Sequence, residues 1–176
     1  MEHLKGGNLL NKIYSGSELT QAQIKQIMRG LAKGLVALHE LGIAHRDIKM
    51  ENIMFRSKEE DEPVIVDFGL GVFVEQEPYP CYMCGTPGCI SPELILMPEP
   101  ETCNPICDVF SAGVVFHALL TRCNLFEGKS LRQLLRNNAN CHIDYSRALY
   151  CDLDPLALSL LKDMLAKQPK QRIAAW

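Results

Sequence analysis

Little in this chain of 176 residues is extreme, and what it lacks narrows its chemistry first. Neither sign of charge dominates: 18 lysines and arginines stand against 21 acids, a formal net charge of -3. Such a balance gives no reason to expect nucleic acid or an anionic membrane as the main partner. No apolar run approaches the length that spans a bilayer, and Met1 opens no charged and apolar leader. The chain is therefore expected to be soluble, intracellular and cytoplasmic. No repeat, low-complexity tract or linker divides it, and its 47% hydrophobic and 22% charged residues suit one globular domain. Eight cysteines are present, with Cys81 and Cys84 in a C-x-x-C, but no second pair follows at ligand spacing. A structural zinc site needs a closed ligand set, so free thiols in a reducing cytosol are expected instead.

Hydrophobic periodicity locates the elements. A short helix is expected from Asn8 to Tyr14, after the Gly6-Gly7 turn. Thr20 and Gln23 have the spacing of a capping box, and Ile24, Ile27, Met28, Leu31, Leu35 and Leu38 continue as a helical stripe. Strands are expected at Gly42–Ala44, Asn52–Phe55 and Pro63–Val66, with Glu59-Glu60-Asp61-Glu62 as a solvated hairpin tip. From Leu70 to Thr102 proline, glycine and cysteine predict mostly loops, the kind of segment that carries function on a rigid scaffold. The run Ile106–Leu120 is almost wholly apolar and predicts a helix buried on all sides, with Asp108 as an acid that needs donors. Further helices are expected at Ser130–Asn137 and Pro155–Ala166, the latter with proline in its first turn.

Two short strings carry the chemistry. His45-Arg46-Asp47-Ile48-Lys49-Met50-Glu51-Asn52 is followed, after a short interval, by Asp67-Phe68-Gly69. An aspartate can accept the proton of a hydroxyl, a lysine can neutralise a moving phosphate, and Asn and Asp offer the oxygen ligands that Mg²⁺ prefers. Taken alone, Asp47 could simply cap a turn. In this order, and with Gly85-Thr86-Pro87 and Ser91-Pro92-Glu93 after them, the strings resemble the signature set of the eukaryotic-type serine/threonine protein kinases.

That resemblance implies an α+β, protein-kinase-like fold: a mostly helical large lobe with short β hairpins, the small lobe being absent. It implies ATP and Mg²⁺ as cofactors, a protein substrate, and a possible regulatory protein. Asp47 would be the catalytic base, Lys49 would lie against the moving phosphoryl group, and Thr86 would hydrogen-bond with both. Asn52 and Asp67 would hold Mg²⁺, and Met1, His3, Glu51 and Met54 would line the nucleotide site with Asp67. His45 and Phe68 would stack, Glu93 would pair with Arg172, and Asp108 would accept from the backbone of the catalytic loop. The lysine at 49 resembles the serine/threonine branch, and the Met1–Leu4 hinge, Cys84-Gly85-Thr86-Pro87 and the Asp108 helix are most similar to the calcium/calmodulin-dependent and related serine/threonine kinases.

Departures from the family pattern shape the expectation. The chain holds no glycine-rich loop, no strand lysine and no partner helix glutamate, all of which help place ATP, so an active form needs a small lobe. The competing reading is a catalytically inactive, kinase-like interaction or decoy module. Between Asp67 and Thr86 the only hydroxyls are Tyr79 and Tyr82, and Glu75 or Glu77 is expected to stand in for a regulatory phosphate near Arg46. Met50 replaces a frequent proline, and Asn8 stands where many arginine-seeking kinases carry an acid. Met54 and Phe68 are expected to form an exposed apolar floor.

Overall fold

The computed structural model describes residues 2–14, 18–59, 61–74, 84–96 and 104–175. Helix α1 (Leu9–Tyr14) starts one residue later than predicted, because Asn8 stays outside and its Oδ1 accepts from the Asn11 N–H at 2.8 Å. Helix α2 (Gln21–Glu40) begins at the predicted capping box: the Thr20 hydroxyl accepts from the Gln23 N–H, and the Gln23 side chain accepts from the Thr20 N–H. Its buried face is Ile24, Ile27, Leu31, Leu35 and His39. His39 takes the place expected of Leu38; both lie one turn from Leu35, and the histidine finds a buried partner in Asp108.

Two antiparallel two-stranded sheets frame the site. Strands β2 (Ile53–Phe55) and β3 (Pro63–Ile65) make the predicted hairpin, with Ile53 opposite Ile65 and Phe55 opposite Pro63. Gly30 and Gly34 let α2 lie directly on β3: a Cβ on Gly30 would overlap the Pro63 ring, and one on Gly34 would meet Ile65 Cδ1 at 2.9 Å. Strand β1 (Ile43–Ala44) pairs instead with β4 (Val72–Phe73), which lies where only loops are predicted. Two residues after Gly71 carry no periodicity, and the partner that makes them a strand is remote in sequence. At the hairpin tip Glu59 and Glu62 are exposed as expected, whereas Asp61 pairs with Lys12 Nζ at 2.6 Å. That ammonium also stands 4.4 Å from the Phe55 ring centroid, tying the tip to α1. Among the described residues no group of three or more His, Cys, Asp or Glu converges on a possible metal position.

The remaining helices build the core. The short α3 (Pro92–Leu96) precedes α4 (Ile106–Thr121), which is buried without a break from Cys107 to His117, as its apolar run predicts. Helix α5 (Leu131–Asn140) runs three residues past the predicted Asn137, because Asn138 and Ala139 are buried and Asn138 finds partners there. Helix α6 (Pro155–Met164) is capped by Asp154 and ends before the predicted Ala166, since the Ala166 and Lys167 carbonyls turn to Arg172. Leu31 and Leu35 of α2, Phe110 and Val115 of α4, Leu161 and Met164 of α6, and Ile53 and Phe55 of β2 share one core. Each such side chain contributes about 1.5–3 kcal/mol on burial. A smaller cluster, Ala44, Val72, Ile90, Leu94 and Cys107, joins both strands of the β1–β4 sheet to α3 and the start of α4. No described helix is long and apolar enough to cross a membrane.

Candidate active site

The site hangs from one buried carboxylate. Asp108, in the first turn of α4, is fully buried, and its two oxygens accept from the consecutive N–H groups of His45 and Arg46, each at 2.8 Å. His39 Nε2 completes its surroundings at 3.2 Å. These donors answer the need that an acid in an apolar helix creates. Arg46 is held with a left-handed φ of 65°, which turns the chain sharply between β1 and Asp47. Its side chain is buried, and Nε donates to the Leu70 carbonyl at 2.7 Å.

Asp47 sits at the centre of a closed hydrogen-bonded ring. Thr86 Oγ1 donates to Asp47 Oδ1 at 2.7 Å, Lys49 Nζ donates to Thr86 Oγ1 at 2.9 Å, and the same ammonium lies 2.8 Å from Asp47 Oδ2. Asn52 Nδ2 donates to the Asp47 carbonyl at 2.9 Å and to its Oδ2 at 3.1 Å. Burial alone would raise the Asp47 pKa, but the hydrogen bonds from Lys49 and Thr86, with the Lys49 charge and Asn52, outweigh it and hold the carboxyl below its usual range. Burial likewise pulls Lys49 down, while the bond and charge of Asp47, then Glu51 and Asp67, carry it above the ordinary lysine value. Both groups are thus charged at neutral pH. Gly85 makes the approach of Thr86 possible: its φ is 112°, and a Cβ there would stand 2.7 Å from the Arg46 carbonyl.

The second string lies beside the first. The Val66 N–H donates to the Asn52 carbonyl at 3.0 Å, so Asn52 and Asp67 emerge from adjacent strand ends. His45 connects the two strings. It accepts the Asp47 N–H at Nδ1 and sits 3.0 Å from the Val66 carbonyl at Nε2, an arrangement that places its proton on Nε2. Its ring meets Phe68 edge-on, with centroids 4.9 Å apart. Asp67 has a φ of 64°, and its Oδ1 accepts from the Gly69 N–H at 3.2 Å. Of the four described non-glycine residues with positive φ, Arg46 and Asp67 lie in the two strings, while Arg122 and Cys141 end α4 and α5.

Residues 1–176 match the family model for the protein kinase domain. The chain belongs to the protein kinase family. Three relatives of this kinase chain show the range of similarity. A probable serine/threonine-protein kinase 2 of Plasmodium falciparum is 30% identical over 176 residues, 99% of this chain and 34% of the relative. Calcium-dependent protein kinase 2 of Arabidopsis thaliana is 30% identical over 176 residues, 99% of this chain and 27% of the relative. A probable myosin light chain kinase of Dictyostelium discoideum is 30% identical over 172 residues, 98% of this chain and 54% of the relative. The first of these relatives is named as a serine/threonine kinase. It spans between a quarter and somewhat over half of these relatives' lengths.

The structure brings together Asp47, Lys49, Asn52, Thr86 and Asp67, with Met54 half-buried on β2 and Glu51 exposed at the end of the loop. Met1 lies outside the described residues, as do Glu75, Glu77, Tyr79, Tyr82 and Cys81. His3 is exposed, and no described contact joins it to the ring; the segment after it runs along β2, with the Gly6 N–H on the Phe55 carbonyl at 2.9 Å. The donor chemistry fits Mg²⁺: Asn52 commits Nδ2 to Asp47, which leaves Oδ1 available as an oxygen donor, and Asp67 offers a carboxylate from the adjacent strand end. The kinase's Glu93–Arg172 pair is bidentate, at 2.7 and 2.9 Å. Cys89 is a poor nucleophile, its thiol pushed up to about 12 by burial and then by the charges of Glu51 and Asp47. Sequence reasoning missed Asn138 and His39, because a lone polar residue on an otherwise ordinary helix carries no signal until its partner is known.

Proposed function

We propose that residues 1–176 are the large-lobe part of a serine/threonine protein kinase domain that transfers the terminal phosphate of ATP to a protein hydroxyl. The observation that carries this reading is the closed ring of Asp47, Thr86 and Lys49 beside the oxygen pair of Asn52 and Asp67. The acceptor hydroxyl donates to Asp47, which aims its oxygen and takes its proton as transfer completes. A carboxyl held below its usual range is a weak base, so orientation is the larger part of its work. Lys49 lies against the moving phosphoryl group and offsets its charge, and Thr86 keeps both side chains in place. Asn52 and Asp67 would hold Mg²⁺, which would supply charge neutralisation at the phosphate oxygens.

Met54 and His3 flank the adenine, and Glu51 stands at the edge between nucleotide and acceptor; Met1, also expected there, lies outside the described residues. Of the floor expected from Met54 and Phe68, Phe68 is 47% exposed while Met54 is half-buried on β2; Phe68, with Leu70 at 36%, is the surface on which a small lobe rests. Residues other than these supply that lobe. A regulatory protein or segment is a further partner, as the names of the calcium-dependent relatives suggest.

In the full-length protein, Mg²⁺-dependent phosphorylation of serine or threonine peptides is expected, and Asp47→Asn is expected to lower kcat by about 10²–10⁴-fold with ATP affinity retained. Phosphate transfer that survives Asp47→Asn refutes the assignment of Asp47. A protein that binds peptide or regulator but neither ATP nor Mg²⁺ is instead an interaction module.

A further inference from the structure

The turn after Thr86 is closed by a residue from a distant helix. The Thr86 carbonyl accepts from the N–H groups of Cys89 and Ile90 at 2.9 and 3.2 Å, so the position of Thr86 and the shape of residues 87–90 are set together. Asn138, on α5, is 0% exposed and grips this turn from both sides. Its Oδ1 accepts from the Gly88 N–H at 3.1 Å, and its Nδ2 donates to the Ile90 carbonyl at 2.8 Å. The side-chain amide thus does what a neighbouring strand's peptide group would do. Gly88 has a φ of 91°, a conformation open to many backbone shapes unless something outside the turn selects one. Ser111 adds only one bond, to the Cys89 carbonyl at 2.8 Å. A buried amide is expensive to place unless both its oxygen and its nitrogen find partners, and here both partners belong to one loop.

We propose that Asn138 is a positioning residue for the acceptor site: by bracketing Gly88 and Ile90 it fixes where the Thr86 hydroxyl meets Asp47 and Lys49. This rests on the reading of Asp47 as the acceptor-facing carboxylate. Asn138 lies in the last turn of α5, so that end of the helix is joined through the turn to the ring around Asp47.

The test uses two readings that need neither ATP nor peptide, so they stand apart from any failure of transferase activity. Amide hydrogen exchange reports the turn, and the NMR shift of the Thr86 methyl group reports where its hydroxyl meets Asp47 and Lys49. Asn138→Ala is expected to speed exchange at Gly88 about tenfold, the loss of one ordinary hydrogen bond. It is also expected to displace the Thr86 methyl resonance, with α4 amides unchanged. Ser111→Ala is expected to leave that resonance in place. If Asn138→Ala does not fold, Asn138→Ser is read by the same two measurements. A Thr86 resonance that stays in place while Gly88 loosens, or that moves with Ser111→Ala and not with the Asn138 variant, overturns the proposal.

Discussion

Removing the Glu93 carboxylate strands a buried charge. The Arg172 side chain is 0% exposed; besides Glu93 it donates to the carbonyls of Ala166, Ile106 and Lys167, and its guanidinium lies 5.1 Å from the Phe110 ring centroid. Breaking a buried pair from one side costs about 3–5 kcal/mol. Three carbonyls remain with the arginine, and Glu93 is 17% exposed, so water can enter the space it leaves. The low end, about 3 kcal/mol, therefore applies to Glu93→Ala. In a chain of this size each kcal/mol shifts Tm by about 2–4 °C, which gives a fall of about 6–12 °C in thermal unfolding. Replacing both partners by methionine removes the stranded charge and is expected to recover part of the loss. A drop smaller than about 2 °C, or a double variant no more stable than the single, would refute the reasoning.

Other expectations concern single groups around the ring. The Ser91 hydroxyl is buried with no hydrogen-bond partner among the described residues. Ser91→Ala is therefore expected to be neutral or to stabilise by about 1 kcal/mol in urea unfolding, and a clear loss would reveal a partner. Gly85→Ala meets both a φ of 112° and the Arg46 carbonyl. It is expected to destabilise by more than about 1 kcal/mol and to displace Thr86, as exchange at the Thr86 amide would report. Asp47 has a folded pKa below its unfolded value, so its contribution to stability is present above about pH 3.8 and is lost as pH falls through the folded value. Stability of Asp47→Asn, followed by denaturant titration across that range, should lose this part of the acid dependence; an unchanged slope would show that the group is not perturbed.

Legibility followed the range of each interaction. The Thr20 cap, the α2 stripe, the all-round burial of α4 and Pro155 in the first turn of α6 are local, and they stand where periodicity predicts them. Strand β4 was invisible because its partner is remote, and the ends of α5 and α6 moved because Asn138 and Arg172 impose contacts from outside each helix. For the ring, resemblance supplied the members; spacing alone could not say that Gly85 must pass so close to the Arg46 carbonyl to deliver Thr86. Asn138 and His39 became visible only through their contacts with the turn and with Asp108.

Asp108 anchors the loop by its peptide N–H groups rather than by side chains, and every residue except proline carries that group. These two anchoring bonds therefore survive a change of side chain at position 45 or 46, within the steric limits of the left-handed φ at Arg46. The His45 ring does separate work, accepting the Asp47 N–H, so a change there would loosen Asp47 locally while the mount on Asp108 holds.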